Sequence, residues 1–243
     1  MAYSKRLKWP IAHPVSRLYA FRMAEPGTVL SSQAARDAFH GGVLPRQGDW
    51  SDEEYLRLTD NVNRLVEFAD GYIQELPMPT RTHQLVLGSL YRRFHSWLAP
   101  LGGTVLFAPL RLRIRPGKFR EPDLLVLGET SDIRSRDRYW LGADLVLEVV
   151  SPDDPNRDFV VKRNDYAEAG IPEYWIADPR NETITVLKLV AAPPLSNRRG
   201  DLPKQPAYAE QGIYARGQTA ASVLFDGLDI DVASVFDASN TGQ

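Results

Sequence analysis

Glu148 stands inside Leu145-Val146-Leu147-Glu148-Val149-Val150, a run apolar enough for a strand buried on both faces. A carboxylate there is costly to desolvate unless it is paired or holds a cation. Asp123 repeats the pattern, following Pro122 and opening Leu124-Leu125-Val126-Leu127. Two adjacent strands that each bring a carboxylate to the same sheet edge make a hard oxygen site. Such a site suits Mg²⁺ or Mn²⁺, which bind through one or two carboxylates together with waters and substrate phosphates. The competing reading is a pair of solvated or salt-bridged strand-end acids.

Lys162 bears on that choice. A helix is predicted from Asn156 to Ala169, and it carries Asp158, Lys162 and Tyr166 at i, i+4 and i+8, on one face. An exposed Asp158–Lys162 pair is the plain alternative, but it leaves Glu148 without a partner. The functional alternative aims Lys162 at the carboxylates, where it stabilises anionic charge or positions an attacking water, with Tyr166 bracing the lysine or touching phosphate. Two acids and a lysine around a divalent ion are the tools of phosphodiester hydrolysis. Two further residues are supporting candidates. Glu67 interrupts the apolar Leu65–Phe68 segment, as a strand-face salt bridge or as a contributor to the acidic site. His83 opens a helix, as polar surface or as a group reaching phosphate.

The elements that must hold these groups read as follows. Ser51-Asp52-Glu53-Glu54 is a capping-box pattern opening a short helix through Leu58. Asp70-Gly71 between two apolar runs signals a β-hairpin. Leu87, Leu90, Tyr91, Phe94 and Leu98 recur at helical spacing after Thr82, until Pro100 and Gly102-Gly103 stop them. Strands are expected at 104–108, 110–114, 123–127 and 144–150. The helix after Asp154-Pro155 ends at Gly170, and a strand pair follows at 173–177 and 183–189 across the Asp178–Asn181 turn. Pro193, Pro194, Pro203 and Pro206 mark a long loop, and Val223–Phe236 closes the core. The expected organisation is an N-terminal extension over 1–48, a poorly defined arm with five basic residues before the first acid, and one α/β domain over 49–243.

Composition narrows the chemistry. The 243 residues carry a net charge of −2 and no cysteine, so disulfides, thiol nucleophiles and thiolate metal sites are excluded. Four histidines and no H-E-x-x-H argue against a histidine-rich metal centre. No apolar run approaches the ~18 residues of a membrane helix, and neither a secretory signal nor a P-loop, dinucleotide fingerprint or nucleophile elbow is present. A cytoplasmic protein without a membrane partner is expected. Arg111, Arg113 and Arg115 alternate along one predicted strand face. That face is either a duplex-contacting stripe or a solvated surface. Residues 51–75, by contrast, are strongly acidic.

Arg120-Glu121-Pro122-Asp123, Leu147–Pro152, and the block from Asp158 through Lys162 and Tyr166–Pro179 together resemble the Uma-two family of putative restriction endonucleases, within the PD-(D/E)XK nuclease-like superfamily. The Asp70-Gly71 hairpin and the Thr82-His83-Gln84 helix start resemble it too, so the likeness spans roughly residues 50–236. It implies a restriction-endonuclease-like core, a mixed central sheet flanked by helices. It also implies that Asp123, Glu148 and the Val149 carbonyl hold Mg²⁺ or Mn²⁺. Val150 replaces the lysine usual on the strand, and Lys162 on the next helix is the matching candidate.

The leading expectation is thus a divalent-metal-dependent endonuclease acting on DNA, as a homodimer by analogy with nucleases that cut two strands. A non-catalytic nucleic-acid- or protein-binding module on the same fold is the alternative, and hydrolysis of a small phosphodiester is a third reading.

Overall fold

A computed structural model describes residues 44–190 and 206–240. The predicted arm through residue 43 and the proline-rich loop of 191–205 lie outside the described residues.

Ser51 opens α1 (Asp52–Asn61) with the reciprocal capping box anticipated from the sequence: its hydroxyl accepts from the Glu54 N–H and the Glu54 carboxylate accepts from the Ser51 N–H. The hairpin forms as β1 (Val66–Ala69) and β2 (Tyr72–Glu75), with Asp70 at φ 50° and Gly71 at φ 87°. Gly71 is required twice over. Its φ is left-handed, and a Cβ there would lie 2.3 Å from the Gly48 carbonyl oxygen, where the incoming chain bonds to the turn. β1 also pairs with β5 (Lys118–Arg120), which pairs with β4 (Leu112–Arg115), giving a small four-stranded antiparallel sheet. α1 covers it through Tyr55, Leu56 and Leu58, which pack on Phe68 and Phe119.

Thr80, not Thr82, caps α2 (Arg81–Leu98), accepting from the His83 N–H at 3.2 Å. The buried stripe Val86, Leu90, Phe94 and Leu98 lies on one face of the main sheet. That sheet has six strands in the order β10-β9-β8-β7-β6-β3: β3 Thr104–Phe107, β6 Leu124–Leu127, β7 Leu145–Val149, β8 Glu173–Asp178, β9 Thr183–Val190 and β10 Ala207–Tyr214. Only β7 and β8 run parallel, so the sheet is mixed. Their crossover contains a π-helical turn, Arg157–Lys162, that runs into α3 (Arg163–Glu168). A short pair, β11 (Thr219–Ala221) and β12 (Asp229–Asp231), leads into α4 (Val232–Asn240), which packs beside α2.

Period-two alternation explains why β6 and β7 are apolar on both faces, Glu148 apart. Leu124, Val126, Leu145, Leu147 and Val149 face the α2–α4 layer, whereas Leu125, Leu127, Val146 and Val150 face the Tyr166 side. Glu148 falls on that second face. The expected α/β fold, a mixed sheet flanked by helices with a hairpin ahead of it, is what the chain adopts. Strands β5, β10, β11 and β12 were not foreseen: three have only three residues each, and β10 is a Gly- and Glu-containing edge strand. Among the described residues no helix is long and apolar enough to cross a membrane.

Candidate active site

The antiparallel register of β6 and β7 pairs Leu124 with Leu147. One step further along, Asp123 comes beside Glu148, and the Val149 N–H donates to Asp123 Oδ2 at 2.7 Å. His83, buried at the start of α2, brings its Nε2 to 3.0 Å from the same oxygen. Both contacts fall on Oδ2, and the side chain retains 15% exposure toward the cleft.

Glu148 is buried, and its partner is the one its isolation required. Lys162 Nζ lies 2.8 Å from Oε2, and the Tyr166 hydroxyl donates to Oε1. Asp158 Oδ1 is 3.3 Å from the same ammonium, so one lysine serves two buried carboxylates. Glu173 on the adjacent strand is a useful contrast. It too is fully buried, but the Trp175 indole, the Ser222 hydroxyl and the Val223 and Leu224 N–H groups all donate to it, and it only pins a loop.

The electrostatics show a shortage of positive charge. Burial pushes the Glu148 carboxyl well above the usual carboxylate range, and Asp123 and Asp158 push it the same way against the pull of Lys162. Asp158 is raised, again by burial first. Burial would raise Asp123 as well, but His83, Lys162 and the Val149 N–H outweigh it and hold that carboxyl low. Desolvation pulls the Lys162 ammonium down, yet Glu148 and Asp158 keep it above its ordinary value, so it stays protonated. Desolvation also lowers His83, but its bond to Asp123 dominates and the imidazole ends above its usual value.

Among the described residues no three His, Cys, Asp or Glu side chains converge into a ready-made metal cage. What Asp123, Glu148 and Val149 offer is two carboxylates and a backbone carbonyl among the residues that line a cleft of about 1180 Å³. That donor set fits Mg²⁺ or Mn²⁺, which need few protein ligands. The surplus negative charge is the kind a divalent ion relieves.

Glu67 is not in this cluster. Fully buried on β1, it pairs with Arg120 at 3.3 Å and with Arg157. The salt-bridge reading is the one realised, and it ties the small sheet to the turn carrying Lys162. Desolvation raises its carboxyl, but Arg157 and Arg120 outweigh that and set it to about 2, against an ordinary 4.5. A carboxyl depressed on folding contributes stability above its unfolded value and loses it as pH falls toward the folded one. The gap is worth about 3 kcal/mol. Glu67→Gln is therefore expected to be about 3 kcal/mol less stable than wild type at pH 6, the difference shrinking between pH 4.5 and 2. Urea unfolding across that range checks it, and a gap independent of pH would refute it.

The arginine stripe is engaged within the molecule. Arg111 bonds Asp60 at 2.8 Å, Arg113 lies 3.9 Å from Asp52, and Arg115 holds both Asp70 and Glu168 at 2.8 Å. The acidic segment 51–75 lies against the basic one and offsets it. Glu121, Arg157 and Phe107 line the cleft without having been singled out from the sequence. Glu121, pushed up to about 8 by burial and by Glu67, accepts from the Val66 N–H at 3.1 Å. Its place directly before Pro122-Asp123 was the available signal.

No curated protein matches the sequence. The fold is similar to a solved structure described as a putative nuclease belonging to DUF820 from Anabaena variabilis ATCC 29413. The two share 16% identity and a TM-score of 0.56, over 78% of this chain and 99% of that one. The family model described as Uma2, putative restriction endonuclease, matches residues 52–230, well over half of the sequence, and the chain belongs to that family.

Proposed function

We propose that this protein is a divalent-metal-dependent endonuclease that hydrolyses phosphodiester bonds in DNA. The observation that carries the reading is the meeting of Asp123, Glu148 and Lys162 in the lining of one cleft, with more buried negative charge than the lysine offsets. Asp123, Glu148 and the Val149 carbonyl would hold Mg²⁺ or Mn²⁺. Such an ion, when bound, supplies Lewis acidity toward the scissile phosphate and lowers the pKa of a bound water.

The chain's own residues do the rest. Lys162, held protonated, offsets the charge that builds on the phosphorane and orients the attacking water. Tyr166 fixes the Glu148 carboxylate through Oε1, and His83 with the Val149 N–H fixes Asp123 through Oδ2, so neither acid swings freely. The π-helical turn sets Asp158 and Lys162 against Glu148 in place of a strand lysine.

Supercoiled plasmid is expected to be nicked in Mg²⁺ or Mn²⁺ and left intact when a chelator is present. Binding of DNA with no nicking under any divalent metal would favour the non-catalytic module instead.

A further inference from the structure

The cleft is poorly built to grip an intact duplex by its phosphates. Among the described residues, seven acidic side chains line it against four basic ones. Each of the four already holds a carboxylate: Arg64 on Glu75, Arg111 on Asp60, Arg157 on Glu67, and Lys162 on Glu148 and Asp158. Non-specific affinity for duplex DNA comes mainly from cations that neutralise phosphates, and here the cations at the site are committed.

What the cleft offers instead is an exposed aromatic ring beside the acids. Phe107, the last residue of β3, is 53% exposed and lines the same cleft as Asp123. It pairs with Leu124, the residue after Asp123, and the Ala108 N–H meets the Asp123 carbonyl at 3.4 Å. The Phe107 side chain shares the α2-facing side of the sheet with Leu124, and His83 of α2 reaches Asp123 from that same side, so the ring and the carboxylate line one cleft. Tyr91 of α2 packs edge-on against it at 5.3 Å and 89°, which holds the ring in place from one side. Met78, 81% exposed, adds a second apolar surface to the cleft wall.

From this we infer that Phe107 is a base-stacking platform, and that the cleft takes an unpaired DNA strand, one base on Phe107 while its phosphate lies at Asp123 and Glu148. Stacking on aromatic rings is tolerant of sequence and adds to affinity for each base stacked, a contribution that does not come from the cations of the cleft. The inference rests on the nuclease reading above and adds the substrate class to it.

The test is fluorescence anisotropy with a labelled single-stranded oligonucleotide and with the same strand in duplex, Ca²⁺ replacing Mg²⁺ so that binding is read without cleavage. Wild type is expected to bind the single strand more tightly than the duplex. Phe107→Ala should weaken single-strand binding about tenfold while leaving the duplex unchanged, and Phe107→Trp should bind like wild type. Leu106→Ala, an exposed residue of the same strand that does not line the cleft, should change neither. Wild type preferring duplex, or Phe107→Ala binding single strands within about twofold of wild type, would overturn the stacking role and leave the nuclease reading standing. Wild type binding neither DNA would overturn both.

Discussion

Glu148→Gln is expected to reduce plasmid nicking by about 10³-fold without loss of thermal stability, the magnitude being that of removing a main electrostatic contact to a reacting phosphate. The amide keeps the volume of the side chain, and with its carbonyl oxygen accepting from the Lys162 ammonium its NH2 can donate to the Tyr166 hydroxyl oxygen. What it loses is the negative charge that a divalent ion requires. Glu148 is crowded by Asp123 and Asp158 and raised by burial, so neutralising it relieves repulsion and the fold has no reason to weaken. Glu148→Ala is the poorer probe, because it opens a cavity and leaves the buried ammonium with no acceptor at that position. The measurements are nicking rate, melting temperature and Mn²⁺ binding. A variant with normal stability that retains nicking within about tenfold of wild type would remove Glu148 from the site.

Arg120→Met should cost about as much stability as Glu67→Gln, the change at its partner in the same network. Arg120 is 3% exposed and forks onto Asp165 through Nε at 2.8 Å and a terminal nitrogen at 2.7 Å, while also reaching Glu67 at 3.3 Å. Removing one member of a buried ion-pair network leaves charge uncompensated, at a cost of about 3–5 kcal/mol. Total stabilities of ordinary domains are only about 5–15 kcal/mol. Lys118 remains at 2.7 Å from Asp165 and Arg157 remains on Glu67, which places the expected loss near 3 kcal/mol. Arg120→Lys should fall between the two, since an ammonium keeps the charge but not the fork. Denaturant unfolding reads this directly, and a loss below about 1 kcal/mol would show that the network does not hold the small sheet to α3.

Much of this molecule follows from local sequence. The capping box at Ser51, the left-handed Asp70-Gly71 turn and the stripe from Leu87 to Leu98 are short-range patterns whose physics is complete within a few residues. So is the alternation that buries β6 and β7 on both faces. Glu148 was legible for the same reason: a carboxylate inside an apolar strand demands a partner, and the helical spacing of Asp158, Lys162 and Tyr166 supplied a face that could provide one.

Pairings distant in sequence were not legible. Glu67, Arg120 and the pair Arg157 and Asp165 come from three separate segments, and nothing within any one of them shows that they neutralise each other. The arginines at 111, 113 and 115 and the acids at 52, 60 and 70 look like two opposed surfaces on the chain, yet the fold lays one on the other. Phe107 reads as one more strand residue until the β3–β6 register sets it opposite Leu124 and in the cleft that Asp123 lines. Sequence determined which groups are costly to bury and what each one needs. Tertiary structure alone decided which group meets that need, because Coulomb attraction and strand pairing act on distance in space, and only the folded chain sets that distance.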